Sequence, residues 1–314
     1  MSFHSGFVCI LGRPNAGKST LLNALAGQKL AIVSPKPQTT RNRVQGVIHL
    51  EETETRPGGQ IILIDTPGIH KPDSALGRKM MAEVQEALAG CDLILYLVDA
   101  SRKPGAGEQF VLDIIQRSGT PAVLLLNKID LLKHEKHKLL PLIEDFRNRH
   151  QFKEIIPISA LKRDGLHRLA DCLIAALPEG PRYFKGDEVT DQPVRFLAAE
   201  IIREKVLALT EEEIPHAVTV MIEQFEETPG LTRIHATIYC ERDGQKAILL
   251  GKGGQMMKRI GTAARLDIEQ MLDTRVFLEL FVKVRPGWRD SRAFVEELDW
   301  RRQLERMIRW KNPQ

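Results

Sequence analysis

Little in this 314-residue chain is extreme, and each scarcity closes off a class of protein. Aromatic residues make up 5% of the chain, which argues against a platform of rings on which bases stack. Cysteine occurs four times, at Cys9, Cys91, Cys172 and Cys240, widely spaced and with no C-x-x-C pair. That spacing offers no disulfide framework, so buried thiols in a reducing compartment are expected. No apolar run approaches the length of a bilayer span, Leu93–Val98 and Ala122–Leu126 being among the longest. The opening MSFHSGFVCIL has neither a signal-peptide pattern nor an Arg-rich presequence, so a cytoplasmic protein is expected. Net charge is only +4, too small to demand an anionic partner, so any nucleic-acid reading has to come from local clusters. Nothing is low-complexity, and the length suffices for two domains, each with a core of its own.

What is present is concentrated first in GRPNAGKS, Gly12 to Ser19. It lies between the apolar run Phe7–Leu11 and the helix-forming run Thr20–Ala26, the strand–turn–helix setting in which G-x-x-x-x-G-K-[ST] cradles a polyphosphate. Gly12 and Gly17 remove Cβ atoms that would keep backbone N–H groups from the anion, and Arg13, Pro14, Asn15 and Ala16 complete the loop. The following helix aims its unpaired N–H groups at the same place, starting at Thr20. Lys18 supplies a point charge for the β- and γ-phosphates, and the Ser19 hydroxyl is placed to ligate Mg²⁺.

Up to about Leu177 apolar strand-like runs alternate with amphipathic helical runs. Strands are expected at 7–11, 44–50, 60–64, 93–98, 122–126 and 155–158, and helices near 19–25, 74–89, 107–117, 135–149 and 165–177. Near-continuous apolar strands between helices mean an α/β domain, a mostly parallel sheet with helices on both faces. Ligands of such sheets bind at the carboxyl ends of the strands. The polar motifs stand there: Asp65-Thr66-Pro67-Gly68, Asn127-Lys128-Ile129-Asp130 and Ser159-Ala160-Leu161-Lys162. Asp65 can hold Mg²⁺ and the Gly68 N–H can sense a γ-phosphate. Asp130 can accept both N–H donors of a guanine edge, with Asn127 on the other edge, the Lys128 stem over the ring face and the Ala160 N–H on the guanine oxygen. Adenine would leave Asp130 buried and unpaired.

GRPNAGKS, the Thr39-Thr40-Arg41 triplet, DTPG, NKID and SALK resemble the guanine-nucleotide motifs of translation-factor-class GTPases over residues 6 to about 177. The resemblance implies GTP binding and hydrolysis to GDP. It implies a switch loop from Ala31 to Asn42 (Gln38, Thr39, Thr40, Arg41 and Asn42 among it) and a second from Asp65 through Ile69 into the next helix. It favours Thr40 over Thr39 as the threonine that reaches Mg²⁺, and gives Lys18, Asn15, Thr40 and Gly68 the catalytic roles. Where Ras-like proteins carry a water-orienting glutamine stands Ile69, which can neither orient nor polarise water. Similar GTPases use K⁺ held partly by a P-loop asparagine, the position of Asn15.

Prolines, glycines and mixed charge mark 179–193 as a linker, which bounds a first domain at 1–178 and a second at 194–314. The second has the order α-β-β-α-α-β: a helix at 196–207, strands at 217–226 and 233–240, a helix at 246–250, Gly251-Lys252-Gly253-Gly254, a helix at 256–272 and a strand at 276–284. A G-x-x-G turn between two helices lets a single-stranded backbone press close, with Lys252 on a phosphate. Ile248, Leu249 and Leu250 are the expected apolar groove for bases, with Lys258 and Arg259 beyond the turn. Arg301, Arg302, Arg306, Arg309 and Lys311 with Trp300 and Trp310 form a basic C-terminal stretch, read as a solvated face or an RNA-facing one.

The layout, a P-loop GTPase domain followed by an α+β type II KH-like domain, resembles the Era family of the TrmE-Era-EngA-like GTPases over nearly the full length. That resemblance implies binding of the 3′ end of small-subunit ribosomal RNA, action in small-subunit assembly and peripheral contact with the inner face of the cell membrane, with no DNA partner. The alternatives are a constitutive RNA-binding module with a structural GDP, and a tRNA-modification or translation GTPase.

Overall fold

The computed structural model describes residues 2–304 apart from 37, 55 and 134, so Arg306, Arg309, Trp310 and Lys311 lie outside the described residues. The chain divides into two compact units, Met1–Lys71 with Met80–Asp191, and Pro72–Lys79 with Gln192–Gln314.

The first unit is a six-stranded sheet in the order β2-β3-β1-β4-β5-β6. Its strands are β1 (His4–Gly12), β2 (Val44–Leu50), β3 (Gly59–Asp65), β4 (Leu93–Asp99), β5 (Ala122–Asn127) and β6 (Ile155–Pro157). All neighbours run parallel except β2 and β3. The helices are α1 (Lys18–Ala26), α2 (Ala75–Ala89, which belongs to this unit from Met80 onward), α3 (Ala106–Ser118), α4 (Leu139–Arg149) and α5 (Leu166–Ala176). Every residue of β3 and β5 is buried, as the unbroken apolar runs require of strands covered on both faces. The run from 135 is not one helix. A 3-10 turn at Lys136–Lys138 precedes α4, and Pro141 falls in the first turn of α4, where its missing N–H costs no hydrogen bond.

β1 sits between β3 and β4, so the connections leave it in opposite directions and open a crevice at the carboxyl end of the sheet. Residues 178–190 run along the first unit as a strap. Ser5 N–H donates to the Pro178 carbonyl (3.1 Å), Val47 N–H to Val189 (2.8 Å), and Tyr183 N–H to the buried Gln60 Oε1 (2.8 Å).

The second unit carries a three-stranded sheet, β7 (Thr219–Thr228), β8 (Leu231–Cys240) and β9 (Arg275–Val284), with β8 central, antiparallel to β7 and parallel to β9. Its helices are α6 (Val194–Leu209), the short α7 (Ile214–Ala217), α8 (Asp243–Leu250), α9 (Gln255–Leu272) and α10 (Arg292–Glu297). Ala217 therefore ends a helical turn and does not open the strand as its apolar context suggests; Pro215 in that turn holds the helical start. α8 begins three residues before the expected start at 246 because the Gln245 carboxamide accepts from the N–H groups of Glu241 (2.9 Å) and Arg242 (3.1 Å). Trp288 is fully buried and its indole N–H donates to the Ala217 carbonyl at 2.8 Å. Among the described residues no helix is long and apolar enough to cross a membrane.

Trp288→Ala empties a buried aromatic site and orphans that carbonyl, so it should cost about 3–5 kcal/mol. Urea unfolding should show the loss in the transition of the second unit, with the transition of the first unmoved.

Candidate functional site

The phosphate loop is shaped by left-handed backbone at residues where chemistry needs it. Gly17 has φ +102°, and a Cβ there would stand 2.4 Å from Asn127 Nδ2. Asn15, with φ +63°, takes the same region despite its side chain, and its Nδ2 donates to the Pro35 carbonyl at 2.7 Å. Lys18 is buried, and its Nζ donates to the carbonyls of Gly12 (3.2 Å) and Arg13 (3.1 Å). Arg13 itself leans away, its guanidinium paired with Glu108 at 3.1 Å. Glu108 also accepts from Gly105 N–H (2.7 Å), which caps α3 and ties that helix to the loop.

Three oxygens converge beside Lys18. Ser19 Oγ lies 2.6 Å from Asp65 Oδ2 and 2.8 Å from Thr40 Oγ1, and Thr40 Oγ1 is 3.4 Å from the same carboxylate oxygen. Thr39 turns the other way, donating to the Lys36 carbonyl at 2.6 Å. Asp65 is fully buried, and among the described residues its second oxygen, Oδ1, has no hydrogen-bond partner. Burial pushes its carboxyl up to about 6, against the pull of Lys18, Ser19 and Thr40. The same burial lowers Lys18. A buried carboxylate oxygen with no partner, next to two hydroxyls, is a hard-oxygen set suited to Mg²⁺.

The second wall of the crevice comes from three strand ends. Asn127 Nδ2 donates to the Ala16 carbonyl (2.8 Å), while its Oδ1 accepts from Ala160 N–H (2.9 Å). Asn127 thus clasps the phosphate loop to the Ser159 loop. That Ala160 donor is spent on Asn127, so meeting a guanine oxygen would require this bond to be exchanged. Ser159 Oγ donates to Asp130 Oδ1 at 2.6 Å and fixes the direction of the carboxylate. Lys128, at φ +66°, is paired with Asp99 at the end of β4 (2.7 Å). Gly68 passes so close to Pro14 that a Cβ would stand 2.8 Å from its Cα. Ile69 is 1% exposed and packs in the core, with its N–H on the Gly12 carbonyl at 3.1 Å. Thr66 is buried, its hydroxyl donating to the Ile10 carbonyl at 2.7 Å. Arg41 is buried as well, and Asn42 is partly so.

In the second unit the glycine turn between α8 and α9 has φ +69° at Gly251, +58° at Gly253 and +78° at Gly254. Lys252 and both following glycines are exposed, as are Lys258 and Arg259. Ile248 (48% exposed) and Leu250 (37%) face solvent beside the turn, but Leu249 is fully buried in the core of the unit. An apolar triplet on a helix cannot show all three side chains to one ligand, because successive residues turn by a hundred degrees or so; Leu249 belongs to the packing.

Sequence reading missed Glu108, Asp99 and His70. Only Glu108 had a local signal, as the acidic residue in the first turn of α3. The other two depend on which strands and loops meet.

Comparison with known proteins decides the family. The family described as 50S ribosome-binding GTPase matches residues 7–128, and the KH domain family matches residues 213–289. The chain is 49% identical over 302 residues to the GTPase Era of Ruminiclostridium cellulolyticum, covering 96% of this chain and 99% of that one. It is 49% identical over 300 residues to the GTPase Era of Geobacter metallireducens, covering 95% and 98%. It belongs to the Era family of GTPases. Among solved Era structures, an Aquifex aeolicus Era variant bound to GDP·AlF4⁻ is similar at 40% identity and a TM-score of 0.88, covering 93% of this chain and 98% of that one. Another, Era in complex with MgGDPNP and nucleotides 1506–1542 of 16S ribosomal RNA, is similar at 40% identity and a TM-score of 0.88, covering 94% and 98%.

For an Era GTPase the Ser159–Asp130 bond has a measurable role. Ser159→Ala frees the Asp130 carboxylate, and a hydrogen bond to a charged group is worth about 1.5–3 kcal/mol. GDP affinity should fall by roughly 10- to 100-fold in calorimetry, with no gain in ATP affinity.

Proposed function

We propose that this Era-family GTPase is a nucleotide-driven switch that clamps the 3′ end of small-subunit ribosomal RNA during assembly of the small subunit. The observation that carries the reading is Thr40: a residue of the first switch loop meets Ser19 and the buried, half-unpartnered Asp65. A switch loop that shares the metal's oxygen set has a position set by whether a γ-phosphate and metal are held there.

Residues 1–178 are assigned to GTP chemistry and 194–314 to RNA. Ser19, Thr40 and Asp65 would hold Mg²⁺, which when bound neutralises charge shared by the β- and γ-phosphates. The chain's own residues do the rest. The glycine-lined loop from Gly12 to Thr20 presents backbone donors and excludes water from the anion. Lys18 places a charge on the β- and γ-phosphates, and Gly68 offers its N–H to the γ-phosphate. Asp130, aimed by Ser159, selects guanine, and Lys128, anchored by Asp99, lays its stem along the base.

We assign Asn15 to a potassium site. Its Nδ2 is bonded to the Pro35 carbonyl, which brings a switch-loop carbonyl beside the asparagine, and two such oxygens suit a monovalent cation that offsets charge between the β- and γ-phosphates. GTP turnover should then be several-fold faster in potassium than in sodium, and Asn15→Ala should erase the difference; equal rates in the two salts would end the assignment.

The RNA clamp rests on the exposed Gly251–Gly254 turn with Lys252, flanked by Ile248 and Leu250 and by Lys258 and Arg259. A cytoplasmic location goes with this reading. Leu131 (57% exposed) and Leu140 (71%) lie in one stretch of chain with the exposed Lys133 and Lys136 and with Lys138, which pairs with Glu135, and this stretch is the candidate for peripheral contact with an anionic membrane surface. Combining Lys252→Asp with Gly253→Asp puts two negative charges where a phosphate should lie, one of them on a left-handed backbone position. Affinity for a single-stranded RNA of the small-subunit 3′ end should drop at least about tenfold by fluorescence anisotropy, with GDP binding intact. Unchanged RNA affinity would remove the clamp.

A further inference from the structure

We propose that Gln38 of the first switch loop, held by His70 of the second, orients the water that attacks GTP. The proposal rests on the phosphate assignment above. In the reaction the water oxygen bonds to the γ-phosphorus while the bond from that phosphorus to the β,γ-bridging oxygen breaks. The electron pair leaves with GDP, and the water proton passes to the phosphate product. The chain's task is to hold the water in line, which needs a group that accepts its hydrogen bond or donates to its lone pair.

The residue after DTPG cannot do this. Ile69 carries no polar side-chain atom, is 1% exposed and is packed in the core, and its backbone is anchored to Gly12. Freeing it would break that bond and expose an aliphatic side chain. The next residue, His70, reaches across to the first switch loop, where its Nε2 lies 3.0 Å from Gln38 Nε2. Gln38 lines the same cavity as Pro14, Lys18, Ser19, Thr40 and Gly68, the residues that surround the phosphates.

A carboxamide has a donor and an acceptor on one planar group. Whichever way round it meets the imidazole, one amide atom is spent on His70 and the other is left for a water. The backbone of Gln38 is left-handed, φ +58°, an uncommon state for a residue with a side chain and one that concentrates at functional positions. On the far side of the ring, His70 Nδ1 is buried and has no hydrogen-bond partner among the described residues, so among these the Gln38 contact is the one that holds the imidazole. Gln38 is the candidate catalytic residue; His70 is its positioning residue.

The test is turnover of GTP by the full chain with saturating magnesium. Gln38→Ala should lower kcat on the order of a hundredfold, with KM for GTP and affinity for GDP kept within about twofold. Capture of a GDP–aluminium fluoride complex should be lost with it. His70→Ala should lower kcat with KM unmoved, His70→Asn should restore much of the loss because an amide can still hold Gln38, and the double variant Gln38→Ala/His70→Ala should be no slower than Gln38→Ala alone. A wild-type rate in Gln38→Ala would overturn the proposal, and so would a fall in nucleotide affinity that matches the fall in rate. Failure of the unaltered chain to bind GDP would instead sink the phosphate assignment on which the proposal rests.

Discussion

A carboxylate buried at the end of a central strand, beside a buried ammonium, is the constraint to which the first unit answers. Asp65 and Lys18 are both taken out of water, and each loses hydration that the other only partly replaces. The Asp65 oxygen that no described protein group satisfies is a buried hard acceptor, chemistry that suits a divalent cation. Ser19 and Thr40 are arranged around that need. Because Thr40 belongs to a loop and not to the sheet, the electrostatics of the site and the position of the first switch are one problem.

The wall of the crevice formed at the ends of β4, β5 and β6 is built differently. Here polar groups are satisfied by one another. Asn127 joins the phosphate loop to the Ser159 loop through both ends of one amide, and Gly17 has no side chain because Asn127 fills the place of its Cβ. Ser159 aims Asp130, and Asp99 anchors Lys128. One half of the site has an unpartnered oxygen and takes Thr40 from a loop, and the other is paired within itself. A switch needs both, since the base has to be held while the phosphate end changes.

The second unit makes its surface by leaving backbone bare. The Gly251–Gly254 turn takes left-handed values that residues with side chains rarely adopt, and its exposed end projects Lys252 alone. Behind it the core is conventional, with Leu249, Ile260, Ala264 and Ile268 all buried, so the turn stands on a rigid base.

Strand runs, glycine motifs and their order were legible in the chain because they are local. An apolar run of six residues suits a strand covered on both faces, and G-x-x-x-x-G-K-S between such a run and a helix is a local signature of a phosphate loop. Boundaries were less legible at Ala217 and at 135–149, where a proline and its neighbours decide between helix, turn and strand. Leu249 showed that an apolar residue beside a functional turn can belong to the core, which helical phase settles and composition does not. What tertiary structure alone decided is who meets whom. The pairing of Arg13 with Glu108, of Lys128 with Asp99 and of Gln38 with His70 joins residues tens of positions apart. Sequence determines the periodicity that makes each element and the chemistry each loop carries; only the order β2-β3-β1-β4-β5-β6 brings those loops to one end of one sheet, because adjacency in a sheet is set by long-range packing that no local pattern encodes.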